Sequence, residues 1–444
     1  MLSLIHKKDV NKFISDFPQL VDFSDNIFLS EDSSKNYYIL PRYVKDNFKK
    51  DYILKFEDED FKPEDINISC NIELREEQKS LIKKIDSLYK LDGHVNGIVK
   101  AKPGFGKTVC AAFLTAHLQK KTLIVLDNSK LVEQWKDAYI NFTSLTEDDI
   151  GFIIGKTFEP KTVTITMVQT LVSKAKNDIS NYYEKIRNEG FDLVFFDEMH
   201  KTSSTTKFGQ ASVFLNTKNI IGLTATPYGD EEHRFFMNNI IGKIIFEYTT
   251  YDEKPEIYFI KYKSGLKKYV KKILYINDYI RRSGFYNKIL SESTNYLDII
   301  GKLALKLNNT DRKTIIIVFT VDQMNLIVEH LNSMSISATK LYSKQQEIDK
   351  INDRFIVATY KLASHGFDHA ELSCLILATP LKGRTSLVQT IGRILRKKET
   401  KNKPIVFDLI DCEMGDIFLE SIPHKKRIIS NEFNVDNFKE ITMF

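Results

Sequence analysis

The sequence predicts an α/β protein with two parallel-sheet domains behind a smaller N-terminal region. Three observations carry this. Short apolar runs of strand length recur along the chain, as strands buried on both faces of a sheet require. Helix-length segments separate them, and this alternation occurs twice over. At 444 residues the chain has room for about three domains at ~150 residues each.

Taken in order, residues 1–70 stand apart. They hold ten basic and fourteen acidic residues, with frequent Phe and Tyr. The acidic run at 57–60, shortly before Pro63, reads as a solvated boundary. This region is read as a small accessory domain. The first α/β domain spans 71–250, with strands expected at 95–100, 122–126, 163–167, 192–196 and 219–223. A helix over 107–118 would put Val109, Ala112, Phe113 and Ala116 on one face. The second spans 251–444, with strands at 314–319, 355–359, 374–378 and 404–409 and a helix over 321–331.

Composition narrows the class. Hydrophobic residues are 42% and charged residues 28%, which fits folded domains. The longest apolar runs, such as 315–319, are too short to cross a membrane. The opening MLSLIHKKDVNKF turns charged too soon for a signal peptide. Cysteines at 70, 110, 374 and 412 lack C-x-x-C spacing, which argues against a disulfide framework and against a structural metal. A reducing cytoplasm is expected, the host's if the gene is a phage's. The net charge of +5 does not by itself identify a polyanion partner. Of 64 basic residues 52 are Lys and 12 Arg, the mark of an AT-rich genome. An arginine retained against that bias points to a need for its planar fork.

The strand at 95–100 runs into Ala101-Lys102-Pro103-Gly104-Phe105-Gly106-Lys107-Thr108, and a helix follows. A phosphate loop needs this strand–loop–helix setting. Gly104 and Gly106 let backbone N–H groups turn inward, and the helix N-terminus adds partial positive charge. Lys107 would reach the terminal phosphates of ATP, and Thr108 would hold Mg²⁺. The strict pattern has Gly at 101, where this chain has Ala. After the strand at 192–196 come Asp197 and Glu198. Carboxylates at a strand's C-terminal end face the ligand crevice of an open sheet. Asp197 suits a Mg²⁺-organising role, and Glu198 suits positioning and deprotonating the attacking water.

Between the two α/β domains, at about 254–290, lies a basic stretch. From 261 to 272 there are six lysines and no acids. Tyr262, Tyr269 and Val270 interleave as apolar anchors, and Ser264-Gly265 offers a turn into a hairpin or helix. A solvated linker face is one reading. The other is a backbone-tracking nucleic-acid surface built on Lys267, Lys268, Lys271 and Lys272.

These residues resemble a superfamily 2 helicase of the DExH type over 74–396. Leu74-Arg75-Glu76-Glu77-Gln78 resembles the adenine-reading segment, 101–108 motif I, and Asp197-Glu198-Met199-His200 motif II. Gly222-Leu223-Thr224-Ala225-Thr226-Pro227 resembles motif III, and Ala363-Ser364-His365-Gly366-Phe367-Asp368 motif V. Gln389-Thr390-Ile391-Gly392-Arg393-Ile394-Leu395-Arg396 resembles motif VI. Within the superfamily the chain is most similar to phage branch-migrating recombination helicases of the UvsW type.

The resemblance implies two RecA-like motor domains. It implies nucleotide binding at Arg75, Gln78, Gly366 and Asp368, with Gln78 pairing the base edge. It gives His200, Gln389, Arg393 and Arg396 catalytic parts and Thr224 and Thr226 a coupling part. It implies nucleic-acid contacts at Ser129, Gln169 and Thr170. Arg393 and Arg396, three apart, project from one face if helical. They lie in the other α/β domain from Lys107, so a cleft between domains would bring them to the γ-phosphate. Asp127-Asn128-Ser129 stands where many relatives have Pro-Thr, and His365 where an acid is frequent.

The expected partner is DNA, as forks, branched junctions and duplex. An RNA helicase, a double-strand translocase or a nucleotide-gated clamp are the alternatives.

Overall fold

The structure is a computed structural model. It describes residues 2–9, 12, 30–31, 37–40, 54–57, 66–175, 182, 185–186, 188–199, 215, 217–227, 234, 237–238, 240–251, 253–276, 279–341, 352–363, 371–381, 383–395, 402–414 and 421–443. The chain divides into two compact units, Met1–Thr249 and Thr250–Phe444.

The first unit carries two sheets. The N-terminal one pairs β1 (Leu2–His6) between β3 (Tyr37–Leu40) and β4 (Leu54–Glu57), with β2 (Ser30–Glu31) outside β3, all antiparallel. The larger sheet has eight strands in the order β12-β5-β11-β10-β6-β9-β7-β8. They are β5 (Asn96–Ala101), β6 (Thr122–Leu126), β7 (Ile150–Ile154), β8 (Thr157–Glu159), β9 (Val163–Met167), β10 (Leu193–Asp197), β11 (Asn219–Thr224) and β12 (Ile244–Tyr248). Every pairing is parallel except β7 with β8. Strands β6, β9, β10 and β11 are buried at every position, which explains their largely apolar composition.

The second unit holds seven parallel strands in the order β15-β16-β14-β17-β18-β13-β19. They are β13 (Glu256–Tyr262), β14 (Lys313–Val318), β15 (Ala338–Leu341), β16 (Phe355–Thr359), β17 (Leu372–Leu377), β18 (Ile405–Asp411) and β19 (Phe438–Thr442). Each unit has its own buried core around its parallel sheet. The two-sheet α/β architecture is the one the sequence predicts.

The expected helix over 107–118 spans Lys107–Leu118. That over 321–331 runs Val321–Ser333, started by a capping box between Thr320 and Gln323. Strand β10 begins one residue later than expected, because Asp192 lies outside it and pairs with Lys120 at 2.5 Å. Strands β7, β8, β12, β15 and β19, all but β7 at sheet edges, escaped the sequence reading. The described residues of the basic stretch carry regular elements. Its strand β13 is interior to the second sheet, between β18 and β19. After Ser264-Gly265 the chain enters a 3-10 turn, Lys267–Tyr269, and the helices Val270–Leu274 and Tyr279–Leu290. Among the described residues no helix is long and apolar enough to cross a membrane.

Candidate active site

The phosphate loop leaves β5 at Ala101 and turns at Gly104 (φ 79°) and Gly106 (φ 86°), both in the left-handed region. Gly106 is the N-cap of the Lys107–Leu118 helix, and no side chain caps it. The first-turn amides of that helix are therefore available to an anion. Phe105 anchors the loop. Its ring is 1% exposed and packs against Phe246 and Tyr248 of β12, at 6.0 and 5.4 Å. Lys107 reaches back across the loop, its Nζ donating to the Ala101 carbonyl at 3.2 Å.

The Glu76–Asp92 helix braces the loop from outside. Gln78 Nε2 donates to the Phe105 carbonyl at 2.8 Å, while its Oε1 accepts from the Arg75 amide at 2.9 Å. Arg75 Nη2 donates to the carbonyls of Gly104 and Phe105. Both residues thus meet the loop backbone, a contact the sequence reading did not foresee.

Asp197 ends β10 and is buried. Its Oδ1 accepts from the Glu198 amide at 2.9 Å, and its Oδ2 from Trp135 Nε1 at 3.1 Å. Burial first, then the neighbouring Glu198 charge, raise its pKa to about 6. Lys107 and Trp135 act in the opposite sense. The loop that carries Lys107 leaves β5, and Asp197 ends β10, two places away in the same sheet. Glu198 has φ 46°, a left-handed backbone that costs a non-glycine residue roughly 1–2 kcal/mol. It turns the chain off the end of β10. Gly222 on the neighbouring β11 is required here, because a Cβ would lie 2.0 Å from Met199 Sδ. At the end of β11 Thr224 Oγ1 accepts from the Thr226 amide at 3.1 Å, and both threonines are buried.

The remaining predicted residues divide. Ser129 and Gln169 are exposed, and Gln169 Nε2 braces the loop after β6 by donating to the Asp127 carbonyl at 2.8 Å. Thr170 is corrected. It is buried, and its Oγ1 accepts from the Gly155 amide at 3.1 Å, so it supports the β7–β8 turn instead of facing a strand. In the second unit Gln389 is buried in the Arg384–Gly392 helix. That helix gives way to a 3-10 turn at half-buried Arg393. His200, Gly366, Asp368 and Arg396 lie outside the described residues. Lys267, Lys268, Lys271 and Lys272 are all exposed. Lys268 lies 5.0 Å over the Tyr269 ring and Lys272 4.9 Å over Phe285, so two of the four ammonium groups are held by aromatic faces.

Trp135 is the residue that sequence reasoning missed. Its one available signal was being the single Trp of the chain.

Two family models match in the order the motifs require. Residues 71–229 match the res subunit of type III restriction enzymes, and 295–398 the helicase conserved C-terminal domain. The chain is an ATP-dependent superfamily 2 helicase. Putative helicase 22 of Sulfolobus islandicus filamentous virus is 27% identical over 82% of this helicase and 68% of its own length. Putative DNA 3'-5' helicase Rad25 of Haloarcula marismortui is 26% identical, over 74% of this helicase and 52% of its own. Putative ATP-dependent RNA helicase L396 of Acanthamoeba polyphaga mimivirus is 24% identical, over 91% and 76%. The helicase thus spans about two thirds of its first relative and about half of the second.

Among solved structures, S. cerevisiae Dbp5 bound to RNA and ADP BeF3 superposes at a TM-score of 0.54, with 12% identity, 83% of this helicase and 90% of that chain. It shares the fold. T4 UvsW covers 98% of the helicase and 87% of its own chain at 20% identity, but its TM-score of 0.35 is too low to place this helicase in that branch.

A helicase of this fold uses ATP, generally with Mg²⁺. The residues fit that ion. A buried carboxylate with lone pairs beyond its two protein donors stands in the electrostatic reach of Lys107, the residue before Thr108.

Proposed function

We infer that this helicase is an ATP-driven DNA motor that remodels forked and branched recombination intermediates. The observation that carries the reading is the glycine-turned loop that opens the Lys107–Leu118 helix, with buried Asp197 ending a strand of the same parallel sheet. In that site Lys107 binds the terminal phosphates, and Thr108 and Asp197 hold Mg²⁺. Mg²⁺, when bound, neutralises charge on the phosphate oxygens. Glu198 orients the attacking water and takes its proton. His200 and Gln389 complete the catalytic set, and Arg393 and Arg396 stabilise the transferring phosphoryl group. Gly104, Gly106, Arg75, Gln78, Gly366 and Asp368 complete the nucleotide site. Thr224 and Thr226 pass its state on, so that hydrolysis drives relative motion of motor domains at 71–250 and 251–444.

Nucleic acid is held by Ser129, Gln169 and the four lysines at 267–272. Residues 1–70 form an accessory domain that steers duplex DNA, and the site of action is the cytoplasm. The DNA reading is supported by a relative named a DNA 3'-5' helicase. The branch-migrating activity rests on the likeness of the motif set to the UvsW type. RNA is the second reading, favoured by the relative named an RNA helicase, which matches 91% of this chain.

The test is a panel of fork, four-way junction, D-loop, plain duplex and RNA duplex, each with ATP. Remodelling of forks and junctions is expected. Activity confined to RNA duplex would replace the DNA reading. Deleting residues 1–70 should impair junction processing more than basal ATPase.

A further inference from the structure

Helix Leu131–Phe142 connects two places that the proposed function needs. It begins directly after the loop 127–130, which follows β6 and displays exposed Ser129. One turn into the helix, Trp135 is 1% exposed, and its indole N–H points at Asp197 Oδ2 at 3.1 Å. An indole nitrogen only donates, so this partner favours the ionised carboxylate and fixes its rotamer. The other carboxylate oxygen is already held by the Glu198 amide. Asp197 thus has one tether to its own strand and one to a different element.

That element is firmly mounted. The Trp135 ring stacks on Tyr139, with centroids 6.4 Å apart at 26°. Tyr139 OH and Thr115 Oγ1, on the helix that follows the phosphate loop, lie 2.9 Å apart. The loop at the helix start is also tied down. Asn128 Oδ1 accepts from the Lys130 amide, and the Asp127 carbonyl accepts from Gln169. A backbone contact at Ser129 that shifts this loop shifts a rigid helix carrying the donor to Asp197.

We propose that Trp135 is a positioning residue: its indole N–H orients the Mg²⁺-organising carboxylate of Asp197 and makes that carboxylate responsive to the 127–130 loop. The proposal rests on the nucleotide-site reading above and adds a residue and a route to it.

The experiment compares Trp135→Phe with Tyr139→Phe in the full chain. The first keeps an aromatic ring and removes the N–H. The second removes a buried hydroxyl from the same stack and leaves the Asp197 tether intact. Binding of a fluorescent ATP analogue is titrated with Mg²⁺, without nucleic acid. Removing the group that orients a metal ligand weakens metal affinity by on the order of 10–100-fold. Trp135→Phe should therefore raise the Mg²⁺ half-saturation about tenfold. Metal-free nucleotide binding should be unchanged, and stimulation of ATPase by nucleic acid should fall. Tyr139→Phe should match wild type in Mg²⁺ half-saturation and in metal-free nucleotide binding. A wild-type Mg²⁺ half-saturation in Trp135→Phe, or an equal shift in Tyr139→Phe, overturns the proposal.

The wild-type protein gives a second readout that needs no variant. Trp135 is the single Trp. Its emission should change when Mg²⁺ with ADP is added and stay constant with ADP alone. Constant emission in both cases also overturns the proposal. Absence of wild-type ATPase would instead sink the nucleotide-site reading itself.

Discussion

Gln78 Nε2 donates to the carbonyl oxygen of Phe105 at 2.8 Å, inside the phosphate loop. The same nitrogen closes the space beside Gly106, where a Cβ would approach it to 2.5 Å. Gly106 also has φ 86°, which L side chains rarely adopt. Gly106→Ala therefore meets a steric and a conformational obstacle together. It should weaken ATP binding severely, and Gln78→Ala, which unbraces the loop and removes the proposed base contact, should weaken it by on the order of tenfold, the value of a buried hydrogen bond. Equilibrium binding of a fluorescent ATP analogue measures both. Normal affinity in Gly106→Ala would show that the loop does not hold phosphate.

Lys107 and Glu198 separate binding from chemistry. Lys107→Ala removes the main cation for the terminal phosphates and should abolish turnover. Glu198→Gln cannot take the water's proton, so ATP should bind and persist. Single-turnover hydrolysis beside nucleotide binding distinguishes the two. Near-normal turnover in either variant defeats the assignment.

The parts that were legible beforehand share a physical cause. Strands β6, β9, β10 and β11 are buried throughout, so their composition is largely apolar. The loop at 101–108 shows its chemistry through residue types at fixed spacing. What stayed hidden depends on tertiary neighbours. Strand β19 is exposed over most of its length, and its FKEIT pattern reads as surface. Strand β13 lies in the stretch whose lysines drew attention, and its interior place in the second sheet, with Tyr262, Phe259 and Ile257 buried in the core, follows only from the fold. Thr170 looked like a polar contact residue, and only the fold shows the Gly155 amide that occupies its hydroxyl. The Trp135–Asp197 bond joins residues 62 positions apart, which no local pattern encodes.

Arg393 tests the phosphoryl-stabilising role. Arg393→Lys keeps the charge and loses the fork. Turnover should fall by on the order of 10²–10³ with little change in ATP affinity, as for arginine fingers. Steady-state ATPase with a parallel nucleotide titration reads both quantities. An unchanged turnover would make Arg393 a structural cation.

Asp197 should leave a mark on stability. Its pKa is raised from 3.8 to about 6 in the folded protein. The folded state then binds this proton more tightly than the unfolded state, so its stabilising effect is present at low pH. It is lost as pH rises through about 6. In metal-free buffer, wild type should lose stability relative to Asp197→Asn as pH rises from 4 to 7. Denaturant unfolding of both proteins across that range measures the difference, and any constant penalty of the amide cancels. A pH-independent difference would mean that the carboxylate titrates normally.

The exposed lysines after β13 separate electrostatic from stacking contact. Lys267, Lys268, Lys271 and Lys272 stand beside Leu274 and Tyr275, which are 52% and 86% exposed. Arg282 fastens the chain just beyond them, its Nε and Nη2 donating to the Ile276 carbonyl at 3.0 and 2.8 Å. The lysines and the ring are therefore displayed on a fixed mount. Lysine contacts to phosphates release counterions, so binding weakens with salt in proportion to their number. A stacked ring contributes about 1–3 kcal/mol per base without that dependence. Changing the four lysines together to Ala should weaken fork binding and flatten the slope of log K against log salt. Tyr275→Ala should weaken binding to a fork with an unpaired arm and leave the slope unchanged, with Tyr275→Phe close to wild type. ATPase without nucleic acid should survive in every variant. If the quadruple variant keeps the wild-type slope, these lysines do not touch the phosphate backbone, and the element is an ordinary solvated face of the second sheet domain.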